Sequence, residues 1–89
     1  MKLKGEYVLR EIAGEAVLIP TGRSALEFNG LIALNPVSAD IWRCLQAGKN
    51  REELTAFLLE EYEVSRETAE ADLDELLGKL REQGLLELL

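Results

Sequence analysis

Asn29-Gly30-Leu31-Ile32-Ala33-Leu34-Asn35-Pro36-Val37-Ser38-Ala39-Asp40-Ile41-Trp42-Arg43-Cys44-Leu45 is the stretch on which the fold turns. Asn29-Gly30 tolerates the positive φ angles of a type I′ hairpin turn. Leu31 to Leu34 is a four-residue apolar run, short enough to read as a strand. Asn35 then suits a helix N-cap, and Pro36 suits N1, where a missing N–H removes no hydrogen bond. From there the apolar period becomes helical, with Val37, Ile41, Cys44 and Leu45 on one face. Strand-forming sequence precedes this junction and helix-forming sequence follows it.

Upstream, Tyr7-Val8-Leu9-Arg10-Glu11-Ile12 and Glu15-Ala16-Val17-Leu18-Ile19 are β-rich runs joined by Ala13-Gly14, a connection of hairpin length. Val8, Arg10 and Ile12 share one face of the first run, and Tyr7, Leu9 and Glu11 share the other. Neither face is cleanly apolar, so the inward one stays open. Pro20-Thr21-Gly22-Arg23-Ser24 reads as a loop. Two readings are open for Ala25-Leu26-Glu27-Phe28: a fourth short strand paired through Asn29-Gly30, or an irregular connection with Phe28 in the core.

Downstream, a first helix is expected from about Pro36 to Gln46, with Gly48 as its stop. Trp42 flanks the apolar face; packing against the sheet and a binding role are its two readings. Asn50 with Glu53 forms a capping box for a second helix, whose Leu54, Phe57, Leu58 and Tyr62 share a face. Ser65 caps a third, with Ala69, Leu73, Leu76, Leu77 and Leu80 as its apolar stripe and Gly84-Leu85 closing it. Leu85 to Leu89 is open between a terminal strand and a docked apolar tail. The expected fold class is α+β: a small antiparallel three-stranded sheet followed by three helices, winged helix-turn-helix-like, in a single domain over residues 1–89.

Composition narrows the function. Eighty-nine residues leave little room for a substrate cleft, and no apolar run approaches the ~20 residues needed to span a bilayer. Met1 to Glu6 has two lysines but no apolar h-region, so it is not a signal peptide. A single cysteine is compatible with a cytoplasmic location. No histidine is present, which removes His-assisted nucleophiles and the commonest neutral-pH base. Cys44 alone holds no zinc or iron–sulfur cluster, and its place on an apolar face suits a buried thiol. No glycine-rich phosphate loop occurs, so no cofactor is expected and the chain reads as a non-enzyme.

The net charge is −7, which opposes binding to a phosphate backbone. Between Ser65 and Gln83 the acids are Glu67, Glu70, Asp72, Asp74, Glu75 and Glu82, against Arg66, Lys79 and Arg81. A groove-reading helix needs the reverse balance, so nucleic acid is not an expected partner.

Leu9-Arg10-Glu11, Glu15 to Pro20, Leu34-Asn35, Ile41-Trp42, Leu45 with Gly48, Glu53-Leu54, Tyr62 with Val64, Asp72, and Leu80 with Gly84-Leu85-Leu86 occur in an order that resembles PqqD-like proteins. These are pyrroloquinoline quinone biosynthesis protein D and related recognition elements for precursor peptides. The resemblance spans nearly the whole chain. Pro36 to Asp40 departs from the family's more usual small Thr-Gly-type segment, and Ala25 to Phe28 reads as an insertion.

The resemblance implies a non-catalytic chaperone that binds the leader of a ribosomally made precursor peptide. Family members present the peptide core to a modifying enzyme, often a radical S-adenosylmethionine protein. The leader adds as a strand beside the third family strand and lies against the third helix. Carried onto this chain, the peptide-binding residues are Gly30, Leu31, Ile32, Ala33 and Leu34, with Ala69, Asp72, Leu73 and Leu76. An unpaired strand edge is ready to pair with another chain, which supports that mode physically. Ile32, Leu34, Ala69, Leu73 and Leu76 also read as ordinary core, and Asp72 as a solvated acid. The alternatives are a winged-helix regulator and a protein–protein adaptor, the chain being a monomer or a weak homodimer.

Overall fold

A computed structural model describes residues 2–27 and 30–87, and for Glu27 the backbone alone. Phe28 and Asn29, and with them the first residue of the expected turn, lie outside the described residues, as do Leu88 and Leu89. The order is β1 (Lys2–Leu3), β2 (Tyr7–Ile12), β3 (Glu15–Pro20), α1 (Ser24–Glu27), β4 (Ile32–Leu34), α2 (Pro36–Gln46), α3 (Arg51–Glu61), α4 (Arg66–Glu82) and β5 (Leu86–Glu87). The chain divides into two compact units. One is Gly5–Arg43; the other runs from Cys44 onward and includes the residues before Gly5.

In the first unit β2, β3 and β4 form an antiparallel sheet in that order. Ala13 and Gly14 both take positive φ (53° and 82°), the pair of signs that a type I′ turn requires. The register aligns Leu9, Leu18 and Ile32 in one row and Glu11, Ala16 and Leu34 in the next. Leu18, Ile32 and Leu34 are buried, so the face carrying Tyr7, Leu9 and Glu11 points inward. The short strand β4 thus settles a question that the first hairpin alone left open. Trp42, buried, meets the Tyr7 ring edge-on at 6.4 Å between centroids, a favourable aromatic geometry. Its role is the packing one.

The open segment from Ala25 resolves against a fourth strand there. Ser24–Glu27 is a helical turn that packs on β3. Ser24 is held at its start because its buried Oγ accepts the Glu6 N–H at 2.7 Å. A residue tied down this way supports a turn rather than an extended pairing segment.

Each of the three long helices starts on the residue its sequence marks. Asn35 Oδ1 accepts the Ser38 N–H at 2.7 Å, Asn50 and Glu53 complete a reciprocal capping box, and Ser65 Oγ accepts the Thr68 N–H. α4 ends in a Schellman motif, with Leu85 N–H on Leu80 O, Gly84 N–H on Arg81 O and Gly84 at φ 81°.

In the second unit α3 packs against α4. Leu54, Leu58, Ala69, Leu73, Leu76, Leu77 and Leu80 are buried, with Leu85 and Leu86 beyond the helix end. Leu86–Glu87 is a strand: it pairs antiparallel with Lys2–Leu3, extended by Lys4 N–H on Leu85 O at 2.8 Å. That pairing joins residues more than eighty positions apart, and two-residue strands carry no periodicity to read.

Candidate functional site

The three-stranded sheet has two outer strands, β2 and β4. Which backbone groups face outward follows from one hydrogen bond. Thr21 N–H donates to Glu6 O at 2.8 Å, so Glu6 and Thr21 form a hydrogen-bonded pair. Bonded and non-bonded pairs alternate along an antiparallel ladder. By the register, Val8–Ile19, Arg10–Val17 and Ile12–Glu15 are bonded, and Tyr7–Pro20, Leu9–Leu18 and Glu11–Ala16 are not. Pro20, which has no N–H, occupies a position where β2 requires none. Leu18 and Ala16 therefore turn toward Ile32 and Leu34, their partners on β4. Ala33, and Leu31 by the same alternation, direct their N–H and C=O groups out of the sheet. Among the described residues no strand pairs with that side of β4.

The side chains along this edge are uncharged. Leu31 is 58% exposed and Ala33 is exposed, whereas Ile32 and Leu34 are buried. Gly30, exposed, leads into the strand at φ 128°, a backbone region that side-chain-bearing residues rarely adopt. The edge is therefore a short run of backbone groups with no strand partner among the described residues, flanked by apolar side chains. Such an edge can take another extended chain.

The other expected residues lie on α4, in the second unit. Ala69, Leu73 and Leu76 belong to its buried stripe, the first two with no exposed surface, and Asp72 is exposed. As they stand the three apolar residues are core of that unit. Asp72 is the one of the four that solvent or a ligand reaches.

Sequence reading missed a groove of about 530 Å³ inside the first unit. It runs from Ala33, Leu34 and Asn35 past Pro36, Ala39, Asp40 and Arg43 of α2 to the hairpin residues Leu9–Glu11 and Gly14–Ala16. The Arg43 guanidinium pairs with Asp40 at 3.0 Å on its wall. Its lining offers apolar surface and fixed charges but no thiol or imidazole, the chemistry of binding. The sequence signal was the i, i+3, i+4, i+7 spacing of Pro36, Ala39, Asp40 and Arg43, a second face of α2.

No three His, Cys, Asp or Glu side chains group to hold a metal among the described residues. No described helix is long and apolar enough to cross a membrane.

Residues 6–86 match the family of coenzyme PQQ synthesis protein D (PqqD). The chain belongs to the PqqD family. Two solved structures are similar over almost its full length. TbiB1, in complex with the TbiA(beta) leader peptide, is 33% identical with a TM-score of 0.78, covering 98% of this chain and 95% of that one. Lasso peptide synthetase B1, complexed with the leader peptide, is 32% identical with a TM-score of 0.75, covering 94% of this chain and 93% of that one. No curated protein matches by sequence. The PqqD match begins at Glu6 and ends at Leu86, so it takes in both units of the chain.

Proposed function

We propose that this PqqD-family chain binds the leader of a ribosomally made precursor peptide, which adds as a strand to the outer side of β4. The bound peptide is presented to a modifying enzyme, and the chain does no chemistry itself. The observation that carries this reading is the uncharged β4 edge, unpaired among the described strands, with the outward groups of Leu31 and Ala33 beside an exposed leucine. Support comes from two similar proteins solved with leader peptides. Ribosomal synthesis of the precursor sets the activity in the cytoplasm. The helical residues Ala69, Asp72, Leu73 and Leu76 enter as the second part of the site through the family resemblance, with Asp72 facing a basic leader residue.

The family resemblance favours a radical S-adenosylmethionine enzyme as the partner. A second reading, that the chain serves lasso-peptide synthesis, is favoured by its similarity to lasso peptide synthetase B1. Pull-down of each enzyme class by the peptide-loaded chain separates the two. Binding to DNA is disfavoured because between Glu52 and Glu75 ten residues are acidic and only Arg66 is basic.

The test is an amide NMR titration with leader segments of candidate precursors. Strand addition predicts shifts concentrated at Gly30 to Asn35, with a second set at Ala69 to Leu76. Ala33→Pro removes an outward donor and should abolish the first set while the sheet stays folded. Unchanged affinity in a folded Ala33→Pro variant would overturn strand addition at β4.

A further inference from the structure

Strand addition at β4 raises the question of why the longer outer strand is not the one used. β2 has six residues to the three of β4, and its outward groups belong to Tyr7, Leu9 and Glu11. The two edges differ in charge. Leu31 to Leu34 carry none, whereas β2 places Arg10 and Glu11 side by side in its exposed half. Arg10 also folds back along the edge. Its Nη1 donates to Leu9 O at 3.3 Å, occupying one of the outward acceptors. Charged side chains on an outer strand are a known means of preventing edge-to-edge pairing.

We propose that Arg10 closes the β2 edge against a second copy of this chain, leaving β4 as the pairing edge of the sheet. Ile12, at the end of β2, is 50% exposed and offers apolar area for such a contact. An antiparallel β2–β2 pairing that covers Ile12 with the partner's Val8 sets Arg10 directly opposite its own copy. The outward residues are the odd-numbered ones, so the two arginines would meet in a non-bonded pair, the closer kind, where like charges repel most. Removing the charge removes both the repulsion and the competitor for Leu9 O. What arrives at β4 rests on the proposed function; closure of β2 does not.

Sedimentation equilibrium of the full chain without peptide separates the two claims. Arg10→Val, at an exposed strand position that suits a β-branched residue, should raise the weight-average mass toward two chains with concentration. Its Tyr7, Leu9 and Glu11 amides should exchange more slowly as it does so. The native chain and Arg10→Lys should remain single. A natively folded Arg10→Val that stays single over the same range overturns the proposal. So does a native chain that already pairs through β2, or a variant whose slowed amides are Leu31 and Ala33. A leader titration without shifts would overturn the proposed function and leave these outcomes unaffected.

Discussion

The two units of the chain use their apolar residues differently. Of the seven largest fully buried side chains, five (Leu54, Leu58, Leu73, Leu80 and Leu85) lie in the unit that begins at Cys44. Leu18 and Ile41 are the two in the sheet unit. Exposure runs the other way among the described residues: Ile12, Leu26 and Leu31 are large exposed apolar residues of the sheet unit, and Leu59 alone belongs to the other. The helical unit buries most of its described leucines. The sheet unit keeps apolar surface and backbone groups available. Burial of this kind suits a scaffold, and an uncharged edge with an exposed leucine suits a partner.

The largest effect that would break this contrast is in the scaffold. Leu73 has no exposed surface, so Leu73→Ala should cost about 2–5 kcal/mol of unfolding free energy, from lost burial and the cavity left behind. Urea unfolding measures it. A loss under ~1 kcal/mol would mean that the α4 stripe is loosely packed, and the contrast in burial would fail.

Next come two prolines on adjacent residues. Ile32 bonds inward to Leu18, and proline there breaks the sheet's own ladder, so Ile32→Pro should unfold the sheet unit. Ala33 faces outward, and Ala33→Pro should leave stability within about 1 kcal/mol while weakening leader binding at least about tenfold, the effect of ~1.4 kcal/mol. Calorimetric titration beside thermal melts reads both. Equal stability losses for the two variants would show that the alternation along β4 is not as assigned.

What the residues alone disclosed follows the same division. The helices were legible because their signals are local: Asn35, Asn50 and Ser65 each bond within three residues, and Gly84 closes α4 within its own last turn. The buried stripe of α4 matches its 3.6-residue period residue for residue. The sheet was legible as strands but not as faces, because Arg10 and Glu11 interrupt both patterns of β2 and the inward side is fixed by β4, more than a dozen residues on. The β1–β5 pair and the turn at Ser24 depend on partners distant in sequence: a terminal strand was one of two readings for Leu85 to Leu89, but its partner Lys2–Leu3 left no local trace. For the candidate site, Leu31 to Leu34 were readable as a strand, and its place at a sheet edge came from the family resemblance. The distinction between Ile32 and Ala33 was not readable, since it depends on a hydrogen bond at Glu6 and Thr21.

A smaller effect probes the local character of the helical unit. Asn50→Ala removes the acceptor for Glu53 N–H and should cost about 1 kcal/mol. The loss should be read in the amide exchange of the first turn of α3, with leader affinity unchanged. A change in affinity of more than about threefold would tie the scaffold to binding and soften the contrast.

The smallest effect is expected where the geometry looks strongest. Arg51 and Asp74 approach to 2.6 Å and link the start of α3 to α4, yet their side chains are 45% and 67% exposed. Water screens an exposed pair, and ordering two long side chains opposes its formation. Asp74→Asn also removes one charge from a strongly acidic stretch, which relieves repulsion among its neighbours. The two contributions oppose each other, so unfolding free energy should change by less than ~0.5 kcal/mol, and by still less in high salt. A loss well above that, persisting in salt, would make the ion pair a structural clamp of the helical unit, and hydrophobic burial would no longer suffice to explain why that unit is the scaffold.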